Sequence, residues 1–240
     1  MFDTLNIDMI FNFPNQTEQM LVADIKNIKE INADQITYYP LIISNYQKNE
    51  ITERFGAITY KKEKRLHQLL IGELADMYSQ ESIWCFSNRK GLIDEYIMNH
   101  DEYAGVGAGA MGYVNGTIYS NTCSIQHYIN LTQEDKSSII KNKSFSSLER
   151  MRYRFMLKLL SGTVKISDMK KKYGNGFWFY LCGELSFLFI NRAIKFKKDA
   201  IVLTPAGRYY CLILMRTLFS VVGDFREMRA SLDAVPLAVQ

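Results

Sequence analysis

The N-terminal part of the chain alternates between short apolar runs and one amphipathic segment. Residues 5–11 and 36–43 are apolar runs of strand length. Between them, Thr17 begins a segment in which apolar residues recur every three or four positions as far as residue 32. A strand, a helix and a second strand in so few residues predict a βαβ unit with parallel strands and a right-handed crossover.

The later pattern predicts mostly helices and one hairpin. Amphipathic or apolar patterns predict helices over residues 61–78, 124–131, 148–160, 164–173, 178–192 and 204–219. Short apolar runs predict strands over residues 82–87, 194–197 and 200–203. Three helices with a β-hairpin wing are typical of a winged-helix domain.

A polar stretch divides these elements. Residues 132–147 contain the run QEDKSSIIKNKSFSS and are the best linker candidate. We therefore predict a first α/β domain over 1–131, a linker over 132–147, and a winged-helix-like α+β domain over 148–240.

The least generic stretch of the chain is residues 94–119. It contains Gly107, Gly109 and Gly112 in the order G-x-G-x-x-G. Clustered glycines indicate a backbone that approaches something closely or adopts positive φ. The turn at residues 113–116 follows in place of a helix, which excludes the dinucleotide-binding fingerprint. Two interpretations stay open: a ligand-binding loop, or a hairpin closed by Asn115-Gly116.

Composition and charge exclude several classes of protein. Apolar residues make up 48% of the 240 residues, as expected for a globular protein. The net charge of +4 is mildly basic and compatible with anionic ligands. No apolar run reaches membrane-spanning length, and the N-terminus lacks a signal-peptide pattern, so we expect a cytoplasmic protein without a membrane span. Nucleic acid is an unlikely partner, because the lysines at 170–172 are followed by aromatic residues typical of a core.

Cysteine spacing matters for the chemistry. Cys85, Cys123, Cys182 and Cys211 are far apart and form no C-x-x-C or C-x3-C-x2-C motif. We expect four buried thiols and no metal ligands. His67 has no partner at metal-ligand spacing and is interpreted as a surface or packing residue.

Four segments together resemble one enzyme family. They read NIDMIFNFPNQT at residues 6–17, ITYYPLI at 36–42, GAGAMGYVNGTIYSN at 107–121 and LTPAGRYY at 203–210. They are similar to segments of the oxygen-independent coproporphyrinogen III oxidases of the radical S-adenosylmethionine (SAM) superfamily. The chain departs from the family at Asn12 and Phe13, where Gly-Leu is usual.

The resemblance implies a fold and a cofactor site. The fold is a partial (β/α) barrel of the radical SAM type followed by a winged-helix-like domain. In the family the aspartate matching Asp8 contacts SAM, a role suited to a carboxylate that accepts hydrogen bonds at a strand end. Ile42, Gly107, Gly109 and Met111 match the other cofactor-lining positions, although Asp8 can equally serve a structural hydrogen bond and Met111 can fill a core.

The implied substrate is a tetrapyrrole or haem. Arg208 and Arg216 are placed to pair with propionate groups. The family reaction is oxidative decarboxylation of propionate side chains by a 5′-deoxyadenosyl radical. Alternatives within the same resemblance are a haem chaperone, a haem-modifying methyltransferase relative, or a non-catalytic binding module.

The cluster-binding part of the family is absent from this sequence. Radical SAM chemistry needs three thiolates from a C-x3-C-x2-C loop to hold a [4Fe-4S] cluster. We therefore expect the chain to correspond to the C-terminal part of a longer enzyme, with the cluster-binding segment and an electron donor as partners.

Overall fold

The computed structural model describes residues 3–45, 47–89 and 100–233, with side chains as far as residue 224. The start of the glycine-rich stretch, residues 94–99, lies outside the described residues. Within these ranges the strands form one four-stranded and two three-stranded sheets.

The predicted βαβ unit is confirmed. Strand β1 (Asn6–Phe11), helix α1 (Glu18–Ile31) and strand β2 (Gln35–Pro40) follow one another, and β1 pairs with β2 in parallel. Thr17 caps α1 by accepting a hydrogen bond from the N–H of Met20, and Asn32 ends it in the left-handed conformation. Strand β2 ends at Pro40, earlier than predicted, because its partner β1 also ends there, at the pair Phe11–Pro40.

Two short strands complete the first sheet in the order β1-β2-β4-β3. They are β3 (Ser79–Gln80) and β4 (Cys85–Ser87), and β4 runs antiparallel to β2. Helices α2 (Lys48–Phe55) and α3 (Tyr60–Leu74) precede them. Apolar residues of α1 and α3 bury one face of this sheet, which forms the first core.

The glycine-rich stretch leads into the second sheet. It contains β5 (Met111–Val114), β6 (Thr117–Asn121) and β7 (Ile139–Ser144), with helix α4 (Ile125–Gln133) between β6 and β7. Asn115 and Gly116 join β5 to β6 with positive φ at both residues, as a type I′ hairpin turn requires. Strand β7 lies inside the segment predicted as a linker, so that segment contains a paired strand, while the domain division itself stays a prediction.

In the C-terminal part of the described chain there are five helices and a three-stranded sheet that contains the β-wing. In chain order they are α5 (Ser147–Leu160), β8 (Thr163–Lys165), α6 (Ile166–Tyr173), α7 (Phe177–Tyr180), α8 (Cys182–Ile190), β9 (Ile194–Lys197), β10 (Ala200–Leu203) and α9 (Pro205–Asp233). The predicted hairpin over β9 and β10 is confirmed. The predicted helix over 164–173 is wrong at its start, because buried Val164 pairs with Ile201 in the sheet β8-β10-β9.

Two further helix boundaries differ from the prediction. The helix expected over 178–192 is divided at Leu181 into α7 and α8. The Leu181 side chain is fully buried in a second core, which consists mainly of apolar residues of the C-terminal elements. Helix α9 continues beyond residue 219 to Asp233. Among the described residues, no helix has both the length and the hydropathy needed to cross a membrane.

Helix α9 docks on α3 through a buried ion pair. The Glu63 side chain is 1% exposed and pairs with the guanidinium of Arg216, whose side chain is 13% exposed. Tyr209 Oη donates to Glu63 Oε1 over 3.1 Å, and Arg216 also lies over the ring of Tyr60 at 4.4 Å. This pair therefore ties the C-terminal helix to the first sheet.

His67 is the packing residue of the same contact. It is 3% exposed, and its ring lies 6.3 Å from that of Phe11 and 5.4 Å from that of Tyr209. Its Nε2 finds no hydrogen-bond partner among the described residues. Burial, with a smaller contribution from the charge of Arg208, lowers the pKa of His67 from 6.5 to about 4.

We predict that the Glu63–Arg216 pair is strongly coupled. E63M and R216M should each lower the free energy of unfolding by about 3 kcal/mol, because each leaves a buried charge without its partner. The double variant should lose much less than the sum, since both charges are then gone. Urea unfolding of the wild type and the three variants measures the coupling.

The exposed pair Glu50–Arg54 on α2 provides the matched control. E50M and R54M should each cost less than about 1 kcal/mol and show little coupling. Simple additivity of E63M and R216M would contradict the docking role of the pair.

We also predict a specific pH dependence of stability from His67. The unfolded chain binds a proton at an ordinary histidine pKa, whereas the folded chain binds it only near pH 4, so folding loses stability as the pH falls below 6.5. Between pH 7.5 and 5.0 this loss amounts to about 2 kcal/mol, and H67Q should abolish it. Urea unfolding at the two pH values tests this, with H127Q at an exposed histidine as control; equal pH dependence in the wild type and H67Q would refute it.

Candidate functional site

The glycine-rich loop folds back against the second sheet. A Cβ on Gly105 would lie 2.3 Å from the carbonyl oxygen of Met111, and one on Gly112 would lie 2.2 Å from Cζ of Tyr119. Tyr119 Oη accepts a hydrogen bond from the N–H of Gly105 at 2.9 Å. Close packing within the chain therefore accounts for these two glycines without a ligand.

Gly107 and Gly109, the two glycines predicted to bind cofactor, are required for a different reason. Their φ angles are 105° and 70°, which favour glycine. The N–H of Gly107 donates to Tyr128 Oη at 3.1 Å, and its carbonyl accepts from Asn121 Nδ2 at 3.0 Å. A Cβ on Gly107 would have no atom within 4 Å, so the space beside this residue is open.

Asp8 lies on the opposite face of β1 from the helices. Its register partner is Thr37 on β2, and its Oδ1 accepts a hydrogen bond from Asn6 Nδ2 at 3.0 Å. The Asp8 side chain is exposed, and Ile42 is half-buried beyond the carboxyl end of β2. An exposed carboxylate on this face is available to accept hydrogen bonds from hydroxyl or amine groups.

The predicted cofactor residues are divided between two sheets. Asp8 and Ile42 belong to the first sheet and the segment after it, whereas Met111 begins β5 of the second sheet. Met111 is 37% exposed, so it is not a fully buried core residue. Their shared role in cofactor binding stays a prediction.

The two arginines predicted to bind substrate are both engaged inside the protein. Arg208 Nη1 donates to the carbonyl of Ser82 at 3.4 Å, and its guanidinium packs so closely on Gly162 that a Cβ there would lie 2.7 Å away. Arg216 is the partner of Glu63. Pairing with a propionate would require each arginine to give up these contacts.

A second set of cations surrounds a pocket that the sequence analysis did not identify. The pocket has a volume of about 420 Å³ and lies between the hairpin turn at Gly116, helix α5 and helix α6. Its charged lining side chains are Asp101, Glu102, Arg150, Arg154, Lys158 and Lys172, and its aromatic ones are Tyr113, Tyr153 and Tyr173. This arrangement suits an anionic ligand with an apolar body.

Part of this pocket carries a signal that is visible in the sequence. Arg150, Arg154 and Lys158 recur every four residues and therefore share one face of α5. A solvated helix face explains such a row equally well. The tertiary structure brings Lys172 of α6 and the acidic residues 101–102 next to this row of cations. The concave shape of the pocket arises only from that arrangement.

The cysteines do not form a metal site. Among the residues that the structure describes, no group of three or more His, Cys, Asp or Glu side chains is close enough to hold a metal ion. Cys85 and Cys211 are buried as expected, but the prediction is wrong for exposed Cys182 and partly exposed Cys123. Cys182 is the first residue of α8, and its side chain is exposed. These thiols do not fit an iron–sulfur cluster.

No protein-family model matches the chain, whereas two curated relatives do. It is 25% identical over 142 residues to the heme chaperone HemW of Lactococcus lactis, a match that covers 56% of this chain and 37% of the relative. It is also 25% identical over 227 residues to the heme chaperone HemW of Bacillus subtilis, which covers 86% of this chain and 56% of the relative.

A solved structure shares the fold. The coproporphyrinogen III oxidase HemN from Escherichia coli, described as a radical SAM enzyme, superposes with a TM-score of 0.70 at 15% identity. The match covers 90% of this chain and 55% of the HemN chain. The chain thus spans about half the length of this structure and of the Bacillus subtilis relative, and less of the Lactococcus lactis one.

These findings agree with the motif-based prediction. The fold match extends across both the partial barrel and the winged-helix-like part, which confirms the predicted fold class. The sequence matches to HemW confirm the family resemblance independently of the fold. The chain is therefore similar in sequence to HemW and in fold to HemN, in agreement with the predicted resemblance.

Proposed function

We propose that this chain is the C-terminal part of a radical SAM protein that acts in haem metabolism. The observation that carries the proposal is the sequence similarity to HemW along 86% of the chain. The shared fold with HemN supports it, because the superposition covers 90% of the chain. The substrate would be a tetrapyrrole or haem, and the location would be the cytoplasm.

Two activities compete within this proposal. The motifs led us to expect oxidative decarboxylation of coproporphyrinogen propionates. However, HemN is only 15% identical, so its likeness supports the fold rather than the reaction. The two sequence relatives are both heme chaperones. Haem binding and delivery therefore has the stronger support.

The proposal for the cofactors differs between SAM and the [4Fe-4S] cluster. For SAM, Asp8 and Ile42 would hold the nucleoside part, with Gly107, Gly109 and Met111 as further candidates for its wall. For the [4Fe-4S] cluster, the thiols of this chain do not fit, and a C-x3-C-x2-C segment and an electron donor would have to be supplied by polypeptide beyond these 240 residues.

Binding of a propionate to Arg208 or Arg216 would cost free energy, because each arginine would have to leave its present partner. A propionate that took Arg216 from Glu63 would leave a buried carboxylate unpaired, at a cost of about 3 kcal/mol or more. Arg208 would have to leave a carbonyl rather than a carboxylate, which costs less. Of the two, Arg208 is the better candidate for a propionate.

Deletion of the gene in its host tests the haem proposal and separates the activities. Loss of an oxidase should raise coproporphyrin and lower total haem, whereas loss of a chaperone should leave total haem unchanged while haem proteins accumulate without haem. Unchanged porphyrins together with fully loaded haem proteins would overturn the proposal.

Complementation of the deletion strain tests Asp8. D8N should fail to restore the wild-type phenotype, because the neutral amide cannot replace the carboxylate as a double acceptor. E53Q, at an exposed carboxylate on α2, should restore it fully. Equal complementation by both variants would exclude Asp8 from the site.

Anaerobic reconstitution with iron and sulfide tests the cluster statement. We expect no cluster absorbance in this chain alone, with full-length Escherichia coli HemN as the positive control. Cluster absorbance that survives desalting of this chain would contradict our interpretation of its cysteines.

A further inference from the structure

The pocket between the hairpin turn, α5 and α6 has an excess of positive charge. Among the described residues, Arg150, Arg154, Lys158 and Lys172 line it together with two carboxylates, those of Asp101 and Glu102. Glu102 is already used, because its Oε1 accepts a hydrogen bond from the N–H of Asn115 in the hairpin turn at 2.9 Å. Asp101 is the carboxylate that pairs directly with two of these cations, whereas the charge of Glu102 acts on Lys172 without an ion pair.

Arg154 and Lys172 share this one carboxylate. Asp101 Oδ1 pairs with Arg154 Nη1, and Asp101 Oδ2 pairs with Lys172 Nζ. The Arg154 side chain is 19% exposed, and its Nε is buried with no acceptor among the described residues. Buried donors of a guanidinium are normally satisfied, so the site can accept more negative charge than Asp101 provides.

The two lysines lie in the same partly buried surroundings, close to other cations. Burial and then the nearby charge of Arg154 lower the pKa of Lys172, with Glu102 acting in the opposite sense. Burial, Arg154 and Lys172 likewise lower the pKa of Lys158, which Asp168 partly offsets. Cations that repel one another in a half-buried site favour a doubly charged counterion.

Asp101 lies outside helices and strands, and the residues that follow it in the sequence fix its position. Two residues later, Tyr103 forms an isolated bridge with Tyr113 through backbone hydrogen bonds of 2.9 and 2.8 Å. Tyr103 Oη also bonds to Tyr153 Oη at 2.7 Å. Asp101 itself lies in a bend outside helices and strands with 43% of its side chain exposed, so it can withdraw without unfolding an element.

The rest of the lining is preformed. Arg150 Nε donates to the carbonyl of Phe145 at 2.9 Å, and its guanidinium packs on Gly116 so tightly that a Cβ there would lie 2.1 Å away. The rings of Tyr113 and Tyr153 lie 4.6 Å apart and form one wall. The pocket thus offers fixed cations beside an aromatic surface.

We propose that this pocket binds a ligand that carries a doubly charged phosphate or a pair of carboxylates, and that the Asp101 carboxylate competes with the ligand for Arg154 and Lys172. The ligand would displace Asp101 and bind both cations, with its apolar part against Tyr113 and Tyr153. This site is separate from the predicted SAM residues, and it does not depend on the haem proposal.

Isothermal titration of the purified chain with two probes tests the site. Inorganic pyrophosphate represents the phosphate source, and glutarate represents paired carboxylates. Saturable 1:1 binding of either probe supports the site, and the probe that binds more tightly identifies the source. Absence of saturable binding by both probes would overturn the proposal.

Substitutions of the cations and of Asp101 should change the affinity for the probes in opposite directions. K172Q and R154Q should each weaken binding about tenfold, because each removes a charge-assisted hydrogen bond. D101N should tighten binding about fivefold, because the competing charge is removed while the side chain keeps its shape. A purely structural role of Asp101 would give no tightening, so unchanged or weaker binding by D101N would refute the competition.

Arg152 provides the matched control on the same helix. It pairs with Glu184 away from the pocket, so R152Q should bind the probes as the wild type does. An equal loss in R152Q and K172Q would mean non-specific attraction and would overturn the site. Circular dichroism of each variant confirms folding, and K172Q, at a more exposed residue than R154Q, keeps the test valid if R154Q does not fold.

Discussion

The buried carboxylate of Glu63 is the constraint on which the arrangement of this chain depends. A carboxylate at 1% exposure is tolerated only when a cation and a hydrogen-bond donor reach it, and both Arg216 and Tyr209 come from the C-terminal helix α9. Helix α3 covers the first sheet, and α9 follows the β-wing. Helices α3 and α9, which are far apart in the sequence, are therefore docked by a charge that neither could bury alone.

The two cores follow from this docking. Tyr209 and Leu212 of α9 pack with the residues of α1 and α3, while Cys85 of β4 and the two residues before it, Ile83 and Trp84, pack with the helices of the C-terminal part. Each core thus contains residues from both predicted domains. The packing thus extends across the boundary predicted at residues 132–147, and β7 lies within that segment, while the domain division itself stays a prediction.

The burial of its carboxylate partner decides whether a cation in this protein is structural or available to a ligand. Arg216 is neutralised by a carboxylate that has no access to water, and releasing it would strand that charge. Arg154 and Lys172 are neutralised by Asp101, which is partly exposed and lies in an irregular segment. The cost of replacing the native anion is therefore much lower in the pocket beside α5 than on α9, although both sets look alike in the sequence.

Local sequence signals determined the secondary structure and the family resemblance. The βαβ unit, the Asn115-Gly116 hairpin and the β-wing depend on capping residues, turn residues and short-range periodicity, which are written in neighbouring positions. Where a local pattern failed, a distant partner was responsible: Val164 fits a helix by its neighbours, yet it pairs with Ile201. The pocket could not be read from the sequence for the same reason, because its cations come from two helices and its carboxylate from the segment before the hairpin. Periodicity reports which face a residue shares with its neighbours along the chain, whereas burial, ion pairing and the supply of countercharge are set by residues far apart in sequence, which only the tertiary structure brings together.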